Sequence, residues 1–376
     1  MNIVPEVRKF LAQLGAMMEQ ECKSTEVGSG PPEELHLELT YKCNSNCSIC
    51  NIKSLRDNQK GEDLSFEEIR QTVEKSELLK DLNYIVLSGG EPWLHPELLE
   101  IVRFFHDRYP KAKMLLLSNL MDKDMVASNL SEIKSAVGLE RISIGTSLDG
   151  VEKAHDIMRG VEGAFDSLVT TVLMIKKKFP EMYPYFNFTL TPDNSSQIFP
   201  VYEWSKKIGG SVSYQVMVQK KETKVYRWNE MLCVNVDTSI NKIIQDIWRE
   251  KQWNEFSPDQ VFSNLDILFF LLNFHYMSTY IRSPRRFFPT CPCGEKYAMI
   301  NPQGDLYFCP VHKDFTAGNI RKDDLDNLWV DRPTAEIRRF INMKTCYCWL
   351  SCTNSSMLEA AFFPNKDKII DKFTKE

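Results

Sequence analysis

Eleven of the 376 residues are cysteines, and nine of them fall into two groups. The first is the trio Cys43, Cys47 and Cys50, spaced C-x3-C-x2-C directly behind an apolar, strand-like run. Three thiolates on one loop read as an incomplete ligand set. A structural zinc site closes with four protein ligands. An electron-transferring four-iron cluster is also held by four cysteines, so a trio leaves one iron open to a substrate or cosubstrate. Taken alone, the trio is also compatible with a zinc-knuckle fragment or a chance grouping. The second group has six thiols: Cys291 and Cys309 in the pattern C-x12-G-x4-C around Gly304, Cys293 beside the first, and Cys346, Cys348 and Cys352 as C-x1-C-x3-C. So many thiols are unusual in a reducing compartment unless they bind metal. Cys22 and Cys233 stand apart and read as ordinary buried thiols.

The elements that must carry these groups are set by periodicity. Six strand-like runs, Leu35 to Thr40, Tyr84 to Ser88, Met114 to Ser118, Ile142 to Ser147, Phe186 to Thr191 and Val212 to Val218, alternate with helical patterns. Repeated β/α units imply a parallel sheet, open or curled into a barrel, with ligands at the C-terminal strand ends. Ser65 and Glu68 form a capping-box pattern ahead of Ile69 and Val73. Before the sheet, Val7, Phe10, Leu11, Leu14 and Met18 recur at helical spacing, and the run from Gly28 to Pro32 breaks the pattern. After it, Trp248, Leu268, Phe269, Leu272 and Tyr276 mark a helical stretch, and the cysteine-rich remainder has turn signals around Gly304 and Gly318. The expected plan is an N-terminal helix and linker over 1–33, a partial six-unit β/α barrel over 34–219, a helical bridge over 220–290 and a small cysteine-rich domain over 291–376.

A net charge of -5 and the lack of a long basic run argue against nucleic acid as a partner. The longest apolar run tested as a span, Ile267 to Leu272, is far short of the roughly 20 residues that cross a bilayer. With Glu6, Glu19 and Glu21 near the start, the N-terminus does not read as a secretory signal, and a cytoplasmic location is expected.

The cysteine spacing, its place behind the first strand and the ordered motifs downstream resemble the radical S-adenosylmethionine superfamily over about residues 34–218. The resemblance implies a role for each motif. Cys43, Cys47 and Cys50 would hold a [4Fe-4S] cluster. The second strand ends in Gly89, Gly90, Glu91 and Pro92, similar to the family's motif for the cosubstrate's amino group. Ser118 and Asn119 lie where the family often places polar residues for the nucleoside or the methionine part. By the same resemblance Ser147 faces the cofactor, and Arg159 pairs with its carboxylate, for which a guanidinium fork is well shaped. As readings of the bare residues, a tight loop at 89–92, a strand-end turn at Ser118 and a surface ion pair at Arg159 stay open. Ile49 departs from the pattern, since the residue before the third cysteine is commonly aromatic.

The C-terminal cysteines, with Gly318, Asn319, Ile320, Leu328 and Trp329 between them, resemble the auxiliary-cluster domains called SPASM and Twitch. That implies a single auxiliary [4Fe-4S] cluster on Cys291, Cys309, Cys348 and Cys352, with Cys346 as a rival ligand and Cys293 as a lesser one. A zinc ribbon is the alternative, because zinc and iron–sulfur sites share thiolates. The implied activity is reductive cleavage of S-adenosylmethionine to a 5′-deoxyadenosyl radical that abstracts a hydrogen atom, leading to oxidation or dehydrogenation of a small molecule. Maturation of a ribosomal peptide and a non-enzymatic electron carrier are the alternatives, and a ferredoxin or flavodoxin is the implied electron donor.

Overall fold

The computed structural model describes residues 3–23, 28–218, 227–289 and 291–374. The start of the expected bridge, 220–226, lies outside the described residues. Among the described residues, nine strands form one sheet in the order β6-β5-β4-β3-β2-β1-β7-β8-β9. Its first six, β1 (Glu34–Thr40), β2 (Tyr84–Gly89), β3 (Lys113–Leu117), β4 (Ile142–Ser147), β5 (Tyr185–Leu190) and β6 (Val212–Val216), are all parallel. Each reproduces an expected strand to within a residue or two. Helices cover one face, so Leu35, Leu37, Ile85, Leu87, Leu116, Ile144, Phe186 and Phe188 are buried there. The alternate positions, Glu38, Ser88, Leu117, Gly145, Asn187, Thr189 and Gln215, line a single cavity with residues from all six strands. Six flat strands at about 4.8 Å spacing would span roughly 24 Å. A shared cavity therefore requires the sheet to curl, which is the partial barrel.

The helix Phe66–Lys75 starts at the expected capping box: the Glu68 carboxylate accepts from Ser65 N at 2.8 Å, and Ser65 Oγ accepts from Glu68 N at 3.3 Å. Caps of this kind contribute about 1 kcal/mol. The helix Leu265–Arg282 buries Leu268, Leu271, Phe274, Tyr276 and Tyr280, apolar positions on every side, as expected of a helix enclosed by protein. It packs against the N-terminal helix Val4–Glu21, where Tyr276 donates its hydroxyl to Gly15 O at 3.0 Å.

The C-terminal segment joins the barrel at both ends. Strand β7 (Tyr297–Ile300) pairs with β1 in parallel, and β8 (Asp305–Tyr307) and β9 (Thr316–Asn319) continue antiparallel. At the far edge, Val216 N donates to Trp349 O at 2.9 Å, and Gln215 Oε1 accepts from Ser351 N at 3.0 Å. The cysteine-rich chain thus bridges the gap between β1 and β6 and closes over the barrel mouth. No helix among the described residues is long and apolar enough to cross a membrane.

Candidate functional site

The loop carrying Cys43, Cys47 and Cys50 is held by backbone on two sides. Gly90 N donates to Thr40 O at 2.7 Å and Glu91 N to Lys42 O at 2.8 Å. Opposite, Asn46 N donates to Arg159 O and Ser48 N to Met158 O, both at 3.1 Å, at the C-terminus of the helix Lys153–Arg159. From a third side Asn119 Nδ2 donates to Asn44 Oδ1 at 2.6 Å and to Ser45 Oγ at 3.1 Å. The expected motifs meet here as parts of one clamp on the cysteine loop.

Cys43, Cys47, Cys50, Gly89, Gly90, Ser118, Asn119, Ser147 and Arg159 all line one cavity of about 400 Å³, with Ile49 on its wall. Glu91 and Pro92 lie behind the wall, buried. Glu91 Oε2 accepts from Asn119 N at 2.8 Å, while Oε1 is buried without a partner among the described residues. Burial pushes its carboxyl up to about 7. Ser118 Oγ accepts from Trp93 Nε1 at 2.8 Å and from Leu120 N at 3.0 Å, which ties the end of β3 to the glycine turn. Leu120 comes next with φ 54°, a left-handed backbone that costs a bulky residue energy and occurs where a site constrains the chain.

Arg159 does not form a surface ion pair. Its Nη1 donates to Asp149 Oδ2 at 3.2 Å in a pair whose side chains are 12% and 1% exposed. Asp149 Oδ1 also accepts from Thr189 N at 2.9 Å. Burial opposes the Arg159 charge, but Cys47, Asp149 and Cys50 together raise its pKa. Burial pushes the Cys43 thiol up and Cys47 to about 11, with Arg159 pulling Cys47 back toward the thiolate. These observations fit a cluster and an amino-acid cosubstrate: three thiols at a cavity, a cation beside them, and a glycine turn whose added Cβ at Gly89 would stand 2.4 Å from Thr40 O.

His155 sits in the same wall, its Nδ1 accepting from Asp149 N at 3.2 Å, and burial, then the Arg159 charge, push its pKa down to about 3. Unfolded, it titrates near 6.5. The unfolded chain therefore takes up a proton that the fold refuses, and the stability contributed above pH 6.5 is lost as pH falls toward 3. At about pH 5 the loss is about 2 kcal/mol. Between about pH 7 and about pH 5, the melting temperature of wild type is expected to fall more steeply than that of His155→Gln. Equal slopes in the two melts would refute this.

The second thiol group surrounds a smaller cavity lined by Cys291, Cys293, Cys309, Cys346 and Cys348. Cys352 is half-buried nearby, and its pKa is raised first by desolvation and then by the charges of Cys348, Cys309 and Cys291. Cys293 lies between Cys291 and Cys309 in hydrogen-bonding contact with both, and is 1% exposed. Its closeness to Cys291 in sequence makes it the lesser candidate there, yet in space it is central. Among the described residues no three His, Cys, Asp or Glu side chains converge as ligands of one ion. Both thiol groups instead ring a space. Glu38, Asn187, Thr189 and Gln215 belong to no motif, although the alternation in Tyr185–Leu190 and in 213–215 marks Asn187, Thr189 and Gln215 as a polar inward row. Lys313 of the C-terminal segment pairs with Glu38.

A parallel, curled β/α sheet with an open thiol trio at its mouth and a second thiol group closing over it defines an iron–sulfur enzyme that works on a bound cosubstrate. Residues 37–204 match the family described as Radical SAM superfamily, and residues 291–353 match SPASM, described as an iron-sulfur cluster-binding domain. The AdoMet-dependent heme synthase of Methanosarcina barkeri is 30% identical over 188 residues, 49% of this chain and 50% of that protein. The antilisterial bacteriocin subtilosin biosynthesis protein AlbA of Bacillus subtilis is 22% identical over 327 residues, 85% of this chain and 65% of AlbA. This chain thus spans less than two thirds of both relatives. Among solved structures, native anSMEcpe with bound AdoMet superposes with a TM-score of 0.59 at 18% identity, covering 91% of this chain and 99% of that one. Streptococcus suis SuiB bound to S-adenosylmethionine gives 0.59 at 15% identity, covering 82% and 68%. The chain carries a radical SAM domain over residues 37–204 and a C-terminal SPASM domain over residues 291–353. Its radical SAM part binds a [4Fe-4S] cluster and S-adenosylmethionine, and its SPASM part binds auxiliary iron–sulfur.

Proposed function

We propose that this enzyme oxidises an organic substrate, most simply by dehydrogenation of a small molecule: one electron leaves with the abstracted hydrogen atom, the second passes to an auxiliary cluster, and a proton is released to solvent. The observation carrying this reading is that the two thiol cavities are neighbours, sharing Pro310, Val311 and Leu350 as a common wall. When bound, the cluster and S-adenosylmethionine supply a 5′-deoxyadenosyl radical that takes a hydrogen atom from the substrate. This chain's residues position and shield. Cys43, Cys47 and Cys50 hold the iron. The backbone at Gly89 and Gly90 receives the cosubstrate's amino group, with Glu91 and Pro92 shaping that turn. Ser147 and Arg159 face its carboxylate end, and Asp149 fixes the guanidinium. Ser118 and Asn119 form the wall beside the nucleoside and hold the cysteine loop. Cys291, Cys309, Cys348 and Cys352 remain the proposed auxiliary ligands, with Cys346 as alternative. Central placement and burial add Cys293 as a strong competitor for one of these positions.

A second reading, modification of a ribosomal peptide, is favoured by the similarity to AlbA over 85% of this chain and by the likeness in fold to SuiB, a protein solved with its precursor peptide SuiA. Under either reading the reductant is a small electron carrier such as a ferredoxin or flavodoxin. Cysteines that hold iron and form no disulfide among the described residues suit a reducing, cytoplasmic setting. The test is anaerobic. Wild type reconstituted with iron and sulfide is expected to release 5′-deoxyadenosine from S-adenosylmethionine, and the Cys43→Ala, Cys47→Ala, Cys50→Ala triple variant is not. Release by neither protein, while wild type holds a reducible cluster, would favour an electron carrier instead.

A further inference from the structure

A third compartment of about 430 Å³ lies at the mouth of the barrel beyond β6. It shares Met217, Val218 and Val311 with the S-adenosylmethionine cavity. With the auxiliary thiol cavity it shares Val311, His312, Cys346 and Tyr347. The three spaces therefore adjoin one another, with this one facing both. Its character differs from the cosubstrate cavity, which presents Glu38, Arg159, Asn187 and Gln215. Here the described lining contains no carboxylate, ammonium or guanidinium. Aliphatic and proline side chains make up most of its wall, and three aromatic rings are set among them. Tyr280, 6% exposed, forms the inner end, and Tyr347, 48% exposed, forms the outer end, their rings 6.2 Å apart at 63°. Trp228 adds a third aromatic wall.

A charged group placed here would lose its hydration and find no opposite charge among the described lining residues, which is costly. An aromatic group would lose nothing and gain edge-to-face contacts with the rings already present. A cavity of about 150 Å³ accepts benzene, so this one has room for a ring together with the atoms that attach it to a larger molecule. We propose that the compartment is the substrate subsite and that it takes an uncharged aromatic group, held among Trp228, Tyr280 and Tyr347 with its attachment on the side of Met217 and Val218, the residues this compartment shares with the cosubstrate cavity. The assignment of the aromatic group to the substrate rests on the oxidation reading above, whereas its binding here does not.

Binding to the anaerobically reconstituted wild-type protein is followed by saturation-transfer NMR with three probes: N-acetyl-L-phenylalaninamide, p-cresol and N-acetyl-L-lysinamide. Both aromatic probes are expected to bind and the lysine amide is not. In Tyr347→Ala, which removes the outer ring, and in Thr345→Trp, which fills the space, the aromatic signal is expected to weaken about tenfold. Tighter binding of the phenylalanine amide than of p-cresol would point to a peptide-borne ring, and equal binding to a free small aromatic; either supports the subsite. Absence of aromatic binding to wild type, equal binding of the lysine amide, or unchanged binding in both variants overturns the proposal. Release of 5′-deoxyadenosine by wild type is scored separately. Cleavage without aromatic binding sinks the subsite alone, and aromatic binding without cleavage sinks the radical oxidation reading alone.

Discussion

Gly90→Ala is expected to cost the protein its N-terminal cluster while the C-terminal iron is retained. A Cβ at this position would lie 2.2 Å from Lys42 O, 2.8 Å from Lys42 C and 3.1 Å from Cys43 Cβ. The obstacle is backbone, which cannot rotate away as a flexible side chain can. The Lys42 carbonyl it would strike accepts from Glu91 N, and Gly90 N itself donates to Thr40 O, the two hydrogen bonds that fix the loop to the glycine turn. One methyl group therefore displaces the first thiol ligand and its anchor together. The opposite jaw makes the same prediction independently. At Gly160, φ is 64° and a Cβ would stand 2.2 Å from Asn46 O, so Gly160→Ala adds left-handed strain to the collision. For each variant, iron should fall to the amount bound by a Cys43→Ala, Cys47→Ala, Cys50→Ala protein. Release of 5′-deoxyadenosine should drop by about 100-fold or more, since displacement of reacting groups by an ångström has effects of that size. Full iron loading with normal cleavage in Gly90→Ala would show that the loop yields and that the clamp does not position the cluster.

That clamp explains what could be read in advance and what could not. Strands β1 to β6 were legible because each is a local apolar run, and their helix-facing rows, such as Leu35 and Leu37 or Phe186 and Phe188, must be buried by a covering layer. The cysteine trio proposed as ligands could be picked out because its spacing lies within one loop. What remained hidden depends on contacts between distant segments. Nothing in the local pattern of Tyr297–Ile300 dictates that β7 adds beside β1 in parallel. Nor does the sequence around Trp349 show that its carbonyl caps the edge of β6. These pairings set which thiols approach the barrel mouth, so the neighbourhood of Cys293 and the third compartment emerge only in three dimensions. The role of Asn119 was hidden for a similar reason: its amide reaches Asn44 and Ser45, residues 75 and 74 positions away.

Asp149→Asn is the second change expected to have a large effect, and its size turns on which half of a buried pair is removed. Burial pushes the Asp149 carboxyl up although Arg159 is beside it, so ionising the pair inside the wall is costly before any attraction is counted. Once the guanidinium is enclosed, however, the carboxylate is its hydrogen-bonded counter-charge, with Cys47 and Cys50 as further anionic neighbours, and removing it leaves a buried cation without its paired partner. Breaking such a pair from one side costs about 3–5 kcal/mol, against total stabilities of about 5–15 kcal/mol for folded domains. The asparagine retains an oxygen for Thr189 N, so the backbone bond at the end of β5 survives and the electrostatic loss is isolated. Urea unfolding of wild type and Asp149→Asn at matched iron loading should show the midpoint fall by an amount equivalent to that loss. Adding Arg159→Gln should restore part of it, because two neutral amides no longer require a counter-charge. Only the stability returns in the double variant. Affinity for S-adenosylmethionine should stay low, since the cation proposed to meet its carboxylate has gone. If the single variant unfolds like wild type, or if the second substitution deepens the loss additively, Asp149 is not what keeps Arg159 charged and oriented in the cavity wall.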